Sequence, residues 1–388
     1  MATQIISRAR RLPEILITVA VLVLIYARMP ERIIHGFLWA EDVTTFLTQA
    51  YDLGLPSIVT PYAGYLHLVP RVIAYLFSLM FPITRAPWAF AIVSLLITCA
   101  SAAWIFSIAR RVLPIYVAAI MSLALVLVPG NGEIWLTITN LQWVLAPLLL
   151  ALIWEEFWSD RPRSTVRTVA IVVFSLTGPF GIFFTPFTLV GIARRRRGYG
   201  YLIPVAIQAA MTALYGLPLP PNAHAPLSYI HYPWLPEAAQ HLVYDMFLLP
   251  GIHHWALAAF ALAAVVCLCA FSVRGYACVA LLALSAALWG IGVVRTGVWT
   301  DSVVAWYGAG SRYFYLPAVF IAWSLAIATS RSRYVSMRLG AALLLLMMLH
   351  VSHSSFRVTR YPDTTFTRTP EGWRVVPPPA KGWGRVIK

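Results

Sequence analysis

His67-Leu68-Val69-Pro70-Arg71-Val72-Ile73-Ala74-Tyr75-Leu76-Phe77-Ser78-Leu79-Met80-Phe81 has two readings, and the topology of every later segment turns on the choice. As a membrane span, it puts Arg110-Arg111 on the outer face and shifts the side of everything that follows. As an interfacial helix, with Pro70 and Arg71 near its start, it leaves the N-terminus inside. Arg110-Arg111, Arg161/Arg163/Arg167, Arg194 to Arg197, Arg274 and Arg331/Arg333/Arg338 then all fall inside too. The orientation rule counts Lys and Arg in short loops, so the interfacial reading is taken. It places the tail, 351–388, outside with seven basic residues; long tails obey the rule less strictly.

The composition makes the bilayer the solvent. The chain is 60% hydrophobic and 11% charged, against roughly 25% charged in a soluble domain, and its mean hydropathy is +0.76. Apolar runs lie near 13–28, 88–108, 113–129, 141–157, 166–177, 180–193, 201–216, 254–273, 276–294, 313–329 and 337–350. A span takes about 20 residues, and several of these runs are short. The expected fold is an all-α, polytopic transmembrane helical bundle of about eleven spans, with interfacial helices in the first outer loop. Residues 1–350 form the transmembrane domain, 29–87 the first outer loop, and 351–388 an outer-face Pro/Trp tail. No linker divides the bundle and no repeat stands out.

The net charge of +15 would suggest nucleic acid in a soluble protein. Here the basic residues come as short clusters between apolar runs, as the positive-inside rule requires. The N-terminus is basic and then apolar from Ile15 to Ala27, like a signal peptide, but Arg28-Met29-Pro30-Glu31-Arg32 follows where small residues would mark cleavage. It is expected to be an uncleaved first helix. Cys99, Cys267, Cys269 and Cys278 lie in apolar stretches and read as small buried hydrophobes. No metal-site spacing, Walker loop, HExxH, dinucleotide fingerprint or CxxC is present.

The chemistry gathers opposite the arginine-rich loops, where Glu31, Glu41, Asp42, Asp52, Glu133, Glu237, Asp245 and Asp301 all fall. Trp39-Ala40-Glu41-Asp42 sets two carboxylates in an apolar stretch. Such a pair can serve as a general base or hold a cation; it can equally cap the helix that VTTFLTQAYDLG would form. Gly64 to Arg71 packs Tyr65, His67 and Arg71 together. Arg71 suits a phosphate and His67 a proton or a sugar hydroxyl, although Tyr and Arg are also interfacial anchors. Glu133 to Trp143 offers Glu133, Asn140 and Gln142 beside aromatic rings, a set that suits a sugar, or a polar loop within an aromatic belt. Gly308 to Pro317 carries Arg312 and Tyr313 at a helix start, and with Arg295 it could clamp an anionic headgroup; a snorkelling arginine is the plain alternative. Thr177-Gly178-Pro179-Phe180-Gly181 reads as a tight outer turn between two short helices, with a broken helix lining a cavity as the alternative.

These motifs, Ala40-Glu41-Asp42, Gly64 to Arg71, Glu133 to Trp143 and Gly310 to Pro317, together with the layout, resemble the C-type (GT-C) membrane glycosyltransferases. The match is nearest to a group of bacterial membrane proteins with AED, GYLHLVPR, ExxxxxTNLQW and GSRYFYLP signatures. The resemblance implies transfer of a sugar from a polyprenyl-phosphate carrier to a cell-envelope glycan or lipid acceptor, on the outer face of the bacterial inner membrane. It implies Asp42 as base with Glu41 close behind, and Arg71, Arg295 and Arg312 as phosphate ligands. Tyr65, His67, Glu133, Asn140, Gln142 and Tyr313 would line the substrate pocket. The lipid-linked sugar is a substrate; no cofactor and no nucleic-acid partner is implied, and a divalent metal need is open. Many relatives carry a large outer soluble domain; here only the short tail is expected. Two rivals stand beside this reading. A transporter or flippase of a lipid-linked sugar would use the same groups without chemistry, though such proteins tend to show repeats and midplane charges. A non-catalytic assembly subunit would be indifferent to Asp42→Ala.

Overall fold

A computed structural model describes residues 2–129, 132–216, 246–247, 264–273, 275–296, 311–354, 364–377 and 384–387. The protein is predominantly helical, and among the described residues five helices are long and apolar enough to cross a membrane: Ile83–Ala109, Leu141–Trp158, Gly275–Gly292, Arg312–Arg331 and Val335–His353. The expected loop 217–253 apart from 246–247, most of 295–312, His253-His254 and the first half of the run 254–273 lie outside the described residues.

The helices described from end to end are, in chain order, α1 (Ala2–Arg28), α2 (Pro30–His35), α3 (Thr48–Leu53), α4 (Leu68–Met80), α5 (Ala86–Ala109), α6 (Ile115–Leu127), α7 (Leu141–Trp158), α8 (Thr165–Ser175), α9 (Phe180–Phe183), α10 (Thr185–Arg195), α11 (Leu202–Tyr215), α12 (Gly275–Thr296), α13 (Tyr315–Arg331) and α14 (Val335–Ser354). The runs 113–129, 166–177, 180–193 and 201–216 therefore yield helices of 13, 11, 11 and 14 residues. At about 1.5 Å per residue these reach ~16–21 Å, short of the ~30 Å hydrocarbon core. Among the described residues five helices have both the length and the apolar composition to cross, and these four are too short to do so unaided, so the count of eleven spans is not confirmed. α4, of 13 residues, also falls short of crossing by itself, as the interfacial reading requires. It buries Pro70, Arg71, Ala74 and Phe77 at helical spacing and exposes Leu76, Leu79 and Met80. One stripe packs on protein, and the opposite face is itself apolar rather than polar.

The chain forms two compact units. The first comprises 1–24, 102–133 and 218–358. Its centre is α13, whose residues from Tyr315 to Ala328 are all buried. α13 packs on α12, α14 and α6. Its polar tips find carbonyls at helix ends or across helices: Tyr315 Oη donates to Leu125 O (2.9 Å), Trp323 Nε1 to Met121 O (2.7 Å), and Arg331 Nη2 to Val112 O (2.8 Å). In α12, Cys278 is buried, as is Cys269 before it, whereas Cys267 is exposed, so only part of the cysteine set is core.

The second unit comprises 25–101, 134–217 and 359–388. α7 is its buried axis, with only Trp154 and Trp158 partly exposed. α8 and α10 both lie against α7. The small residue Gly191 permits this, because a Cβ there would collide with the Phe157 ring. Beyond Ser175 the chain breaks instead of continuing as a span. Arg195, at the far end of α10, returns to the end of α7, donating to Phe157 O and Ser159 O (both 3.0 Å) and pairing with Asp160 (3.0 Å). It thereby satisfies carbonyls that a helix C-terminus leaves open.

The tail was expected only as a Pro/Trp cover. It forms a small antiparallel sheet, β1 (Thr365–Thr369), β2 (Gly372–Val376) and β3 (Arg385–Ile387), in the order β1-β2-β3. Thr365 pairs with Val376 and Trp373 with Ile387. Val375 and Ile387 are buried in one hydrophobic cluster with Leu38, Val43, Phe46, Leu47 and Ala50. The tail and the first loop therefore lie on one face of this unit. The Pro-rich part, 378–383, lies outside the described residues.

Candidate functional site

The acidic motif sits where a tight loop becomes a helix. Helix begins at Ala40, runs through one π-helical turn, Asp42–Leu47, and continues as α3. Single π-turns concentrate at functional positions. Asp42 is fully buried. Its Oδ2 accepts from Trp39 N (2.8 Å), three residues back, which is the return half of a capping box. Its Oδ1 accepts from Thr139 N (2.9 Å) and Thr139 Oγ1 (2.6 Å). The capping alternative thus holds, and the same carboxylate also ties the first loop to the segment before α7. Burial lifts the Asp42 carboxyl to about 7, although the three donors pull the other way and the neighbouring Glu41 charge adds a small upward push. Oδ2 keeps one acceptor position unused by these bonds. Glu41 beside it is only half-buried.

Phe46, one turn beyond Asp42, is the hub of the next group. The His67 ring lies 5.4 Å from it, 5.7 Å from Tyr62 and 4.7 Å from Tyr65. Tyr62 and Tyr65 exchange both backbone hydrogen bonds, at 3.0 and 3.2 Å. Ala63 and Gly64 between them both have positive φ, as in a two-residue hairpin turn. That turn folds Tyr62 and Tyr65 back on His67, which is itself buried.

Arg71 enters from the first turn of α4. Its Nη1 donates to Gln49 Oε1 (2.9 Å) and Ser57 O (2.8 Å), and its guanidinium carbon stands 5.3 Å from the Phe46 ring centre. It is 1% exposed. Its Nε and Nη2 have no hydrogen-bond partner, and no carboxylate among the described residues pairs with it. This is a buried cation whose Nε/Nη2 edge, the fork that grips a phosphate or carboxylate, is unused by the protein.

The helix break closes the group. Gly178 N donates to Leu66 O (2.9 Å), Leu68 N to Leu176 O (3.1 Å) and Val69 N to Thr177 Oγ1 (3.2 Å). Gln208, fully buried in α11, completes the clamp. Its Oε1 accepts from Leu66 N (2.8 Å), and its Nε2 donates to Leu66 O (3.1 Å) and Gly178 O (2.9 Å). Gly178 has φ +87°, and a Cβ there would run into Gln142 Oε1. The Gln142 amide thus rests on the break, with Oε1 buried and accepting no hydrogen bond. Asn140 is fully buried, and its backbone N donates to Thr137 Oγ1 (3.3 Å). Leu136 nearby has φ +67°, a left-handed setting that costs a branched side chain about 1–2 kcal/mol.

The second unit therefore gathers Glu41, Asp42, Tyr65, His67, Arg71, Asn140 and Gln142. The first unit holds Glu133, Arg312 and Tyr313. Glu133 Oε1 accepts from Arg312 N (2.6 Å), its Oε2 lies 3.6 Å from Arg312 Nη1, and the guanidinium lies over the Tyr313 ring at 5.5 Å. Arg312 already has a matched charge, and the pair fixes the approach to α13. Arg295 lies in the last turn of α12; its side chain is outside the description. Sequence reasoning missed four residues here. Thr139 is the chief donor to Asp42, and Gln208 clamps the break. Arg28, over Trp135 at 4.4 Å, and Arg32, donating to Trp135 O (3.1 Å), are buried beside the same loop. Gln208 had a signal, as the one strongly polar side chain inside LIPVAIQAAMTALY. Among the described residues, no three His, Cys, Asp or Glu side chains gather as they would around a metal ion.

Compared with protein-family models, curated proteins and solved structures, the chain matches none.

Proposed function

We propose that this membrane protein is a glycosyltransferase that moves a sugar from a polyprenyl-phosphate carrier to a cell-envelope acceptor on the outer face of a bacterial inner membrane. The observation that carries the reading is Arg71. A buried guanidinium with no carboxylate and a free Nε/Nη2 fork is costly, and an anion repays that cost. A sugar phosphate is such an anion. Asp42 and the aromatic hub of Phe46, Tyr65 and His67 are tied to the same fold of chain. In this reading Arg71 holds the phosphate as the sugar–phosphate bond breaks. A carboxylate takes the proton from the acceptor hydroxyl as its oxygen bonds the anomeric carbon. Lipid phosphate is already a good leaving group, so placement and deprotonation are the main tasks. Asp42, with its carboxyl near 7, has the affinity of a base at neutral pH, but it is sealed in this conformation. Acceptor reaches Oδ2 only when the cover shifts; half-buried Glu41 is the alternative base.

The test is transfer from a panel of radiolabelled polyprenyl-phosphate sugars to envelope lipid extract, in liposomes. Wild type runs beside Asp42→Asn, Glu41→Gln and Arg71→Gln. New labelled product that is lost in Arg71→Gln and in one acid variant, with each protein still folded, supports the enzyme. Transfer indifferent to all three sinks this assignment of residues.

The helix break favours a second reading. Backbone irregular within apolar surroundings is what transporters use around a midplane site. A flippase would move a fluorescent lipid-linked sugar across the bilayer without consuming it, and Asp42→Asn would leave that rate intact.

A further inference from the structure

The loops that follow α7 and α10 in the second unit carry arginines that the site above does not use. Arg195 draws the loop after α7 and the end of α10 together through Phe157 O, Ser159 O and Asp160. This collects Arg161, Arg163, Arg194, Arg196 and Arg197 on two adjoining loops. Arg161, Arg163, Arg194 and Arg196 are exposed. Arg163 leans over Tyr201 and toward Glu156, 3.6 Å away. Among the described residues, Arg161, Arg194, Arg196 and Arg197 meet no carboxylate and form no hydrogen bond through their guanidinium groups. The Arg197 Nε is in addition buried. Asp160, the nearby exposed acid, is spent on Arg195.

Immediately next to these heads the helices turn apolar side chains outward: Val166 and Val169 on α8, Leu189 and Val190 on α10, Ile203 on α11, and Tyr199 between them. Cationic heads above an exposed apolar wall have the outline of an amphiphile, a phosphate among the arginines and acyl chains along the helices. A soluble polyanion would use the heads and leave the wall bare. We infer that these two loops and the adjoining helix flanks form a binding site for an anionic phospholipid. The inference stands apart from the glycosyltransferase reading, since none of these residues belongs to that site.

The full-length protein in detergent, titrated by native mass spectrometry, tests it. The probes are phosphatidylglycerol, phosphatidylcholine with the same acyl chains, and inorganic phosphate. Phosphatidylglycerol is expected to bind in preference to phosphatidylcholine. Arg161→Gln, Arg194→Gln and Arg196→Gln are expected to erode that preference by about fivefold each. These side chains bond nothing in the protein, so the melting temperature is expected to hold; Arg194→Gln alone gives a one-step loss should the triple variant misfold. Equal binding of both lipids overturns the site. So does an undiminished preference in the variants, or the same loss from Arg333→Gln with Arg338→Gln. Displacement of the lipid by an equal concentration of inorganic phosphate overturns the amphiphile assignment.

Discussion

Asp42 holds its proton more tightly than an exposed aspartate because burial penalises the carboxylate more than three donors reward it. Between its ordinary value of 3.8 and about 7, the folded protein keeps a proton that the unfolded chain has released. Unfolding then releases a proton, so stability falls as pH rises through that window. Thermal unfolding in detergent should show this slope in wild type and lose it in Asp42→Asn. If Asp42 is the base, the transfer rate should climb as pH rises through about 7 and then level off; a profile flat from pH 5 to 8 would point to Glu41. Arg71→Lys keeps a charge but not the planar fork, so we expect a raised KM for the lipid-linked donor and little change in melting temperature. The acids and Arg71 were legible in the sequence because a charge inside an apolar stretch has few innocent explanations. Thr139 was not: a threonine in a polar loop says nothing until the loop meets a carboxylate 97 positions away.

Among elements, the break between α8 and α9 depends on a partner far along the chain. Gln208 serves Leu66 N, Leu66 O and Gly178 O. Gln208→Leu, close in volume, would orphan these buried groups at on the order of 1–3 kcal/mol each. We expect it to be among the most destabilising single changes in this unit, and a thermal shift assay measures that. The sequence showed that Gly178-Pro179 interrupts an apolar run, and the interruption is real. It did not show that the halves are too short to cross, because hydropathy registers how apolar a segment is and not where its helix ends. The same limit explains the span count. α7 and α13 are apolar on every side because protein surrounds them, while the largely exposed α14 has an equally apolar sequence. α4, with Arg71 and Pro70 at its start, is as short as α6.

Taken whole, the second unit is sewn from three stretches of chain, 25–101, 134–217 and 359–388. Contact between β3 and α3 places the last residues on the face of the acidic loop, so both must emerge on the same side of the membrane. Single cysteines at Thr367 and Asp52, in a cysteine-free background in intact cells, should react alike with an impermeant maleimide; opposite labelling would contradict the packing. Deleting 364–388 removes Val375 and Ile387 from the cluster, at about 1.5–3 kcal/mol for each buried side chain. We expect a lower melting temperature and loss of sugar transfer. The sequence suggested a cover from its prolines and tryptophans. Its strands were hidden because each is five residues or fewer, too short for alternation to be read.

Val43 and Phe46 share one hydrophobic cluster with Val375 and Ile387, which come from far along the chain. Contacts between such distant stretches form slowly, because loop closure must be met before they reward it. The acidic loop should therefore be among the last parts of this unit to resist a protease as the protein refolds.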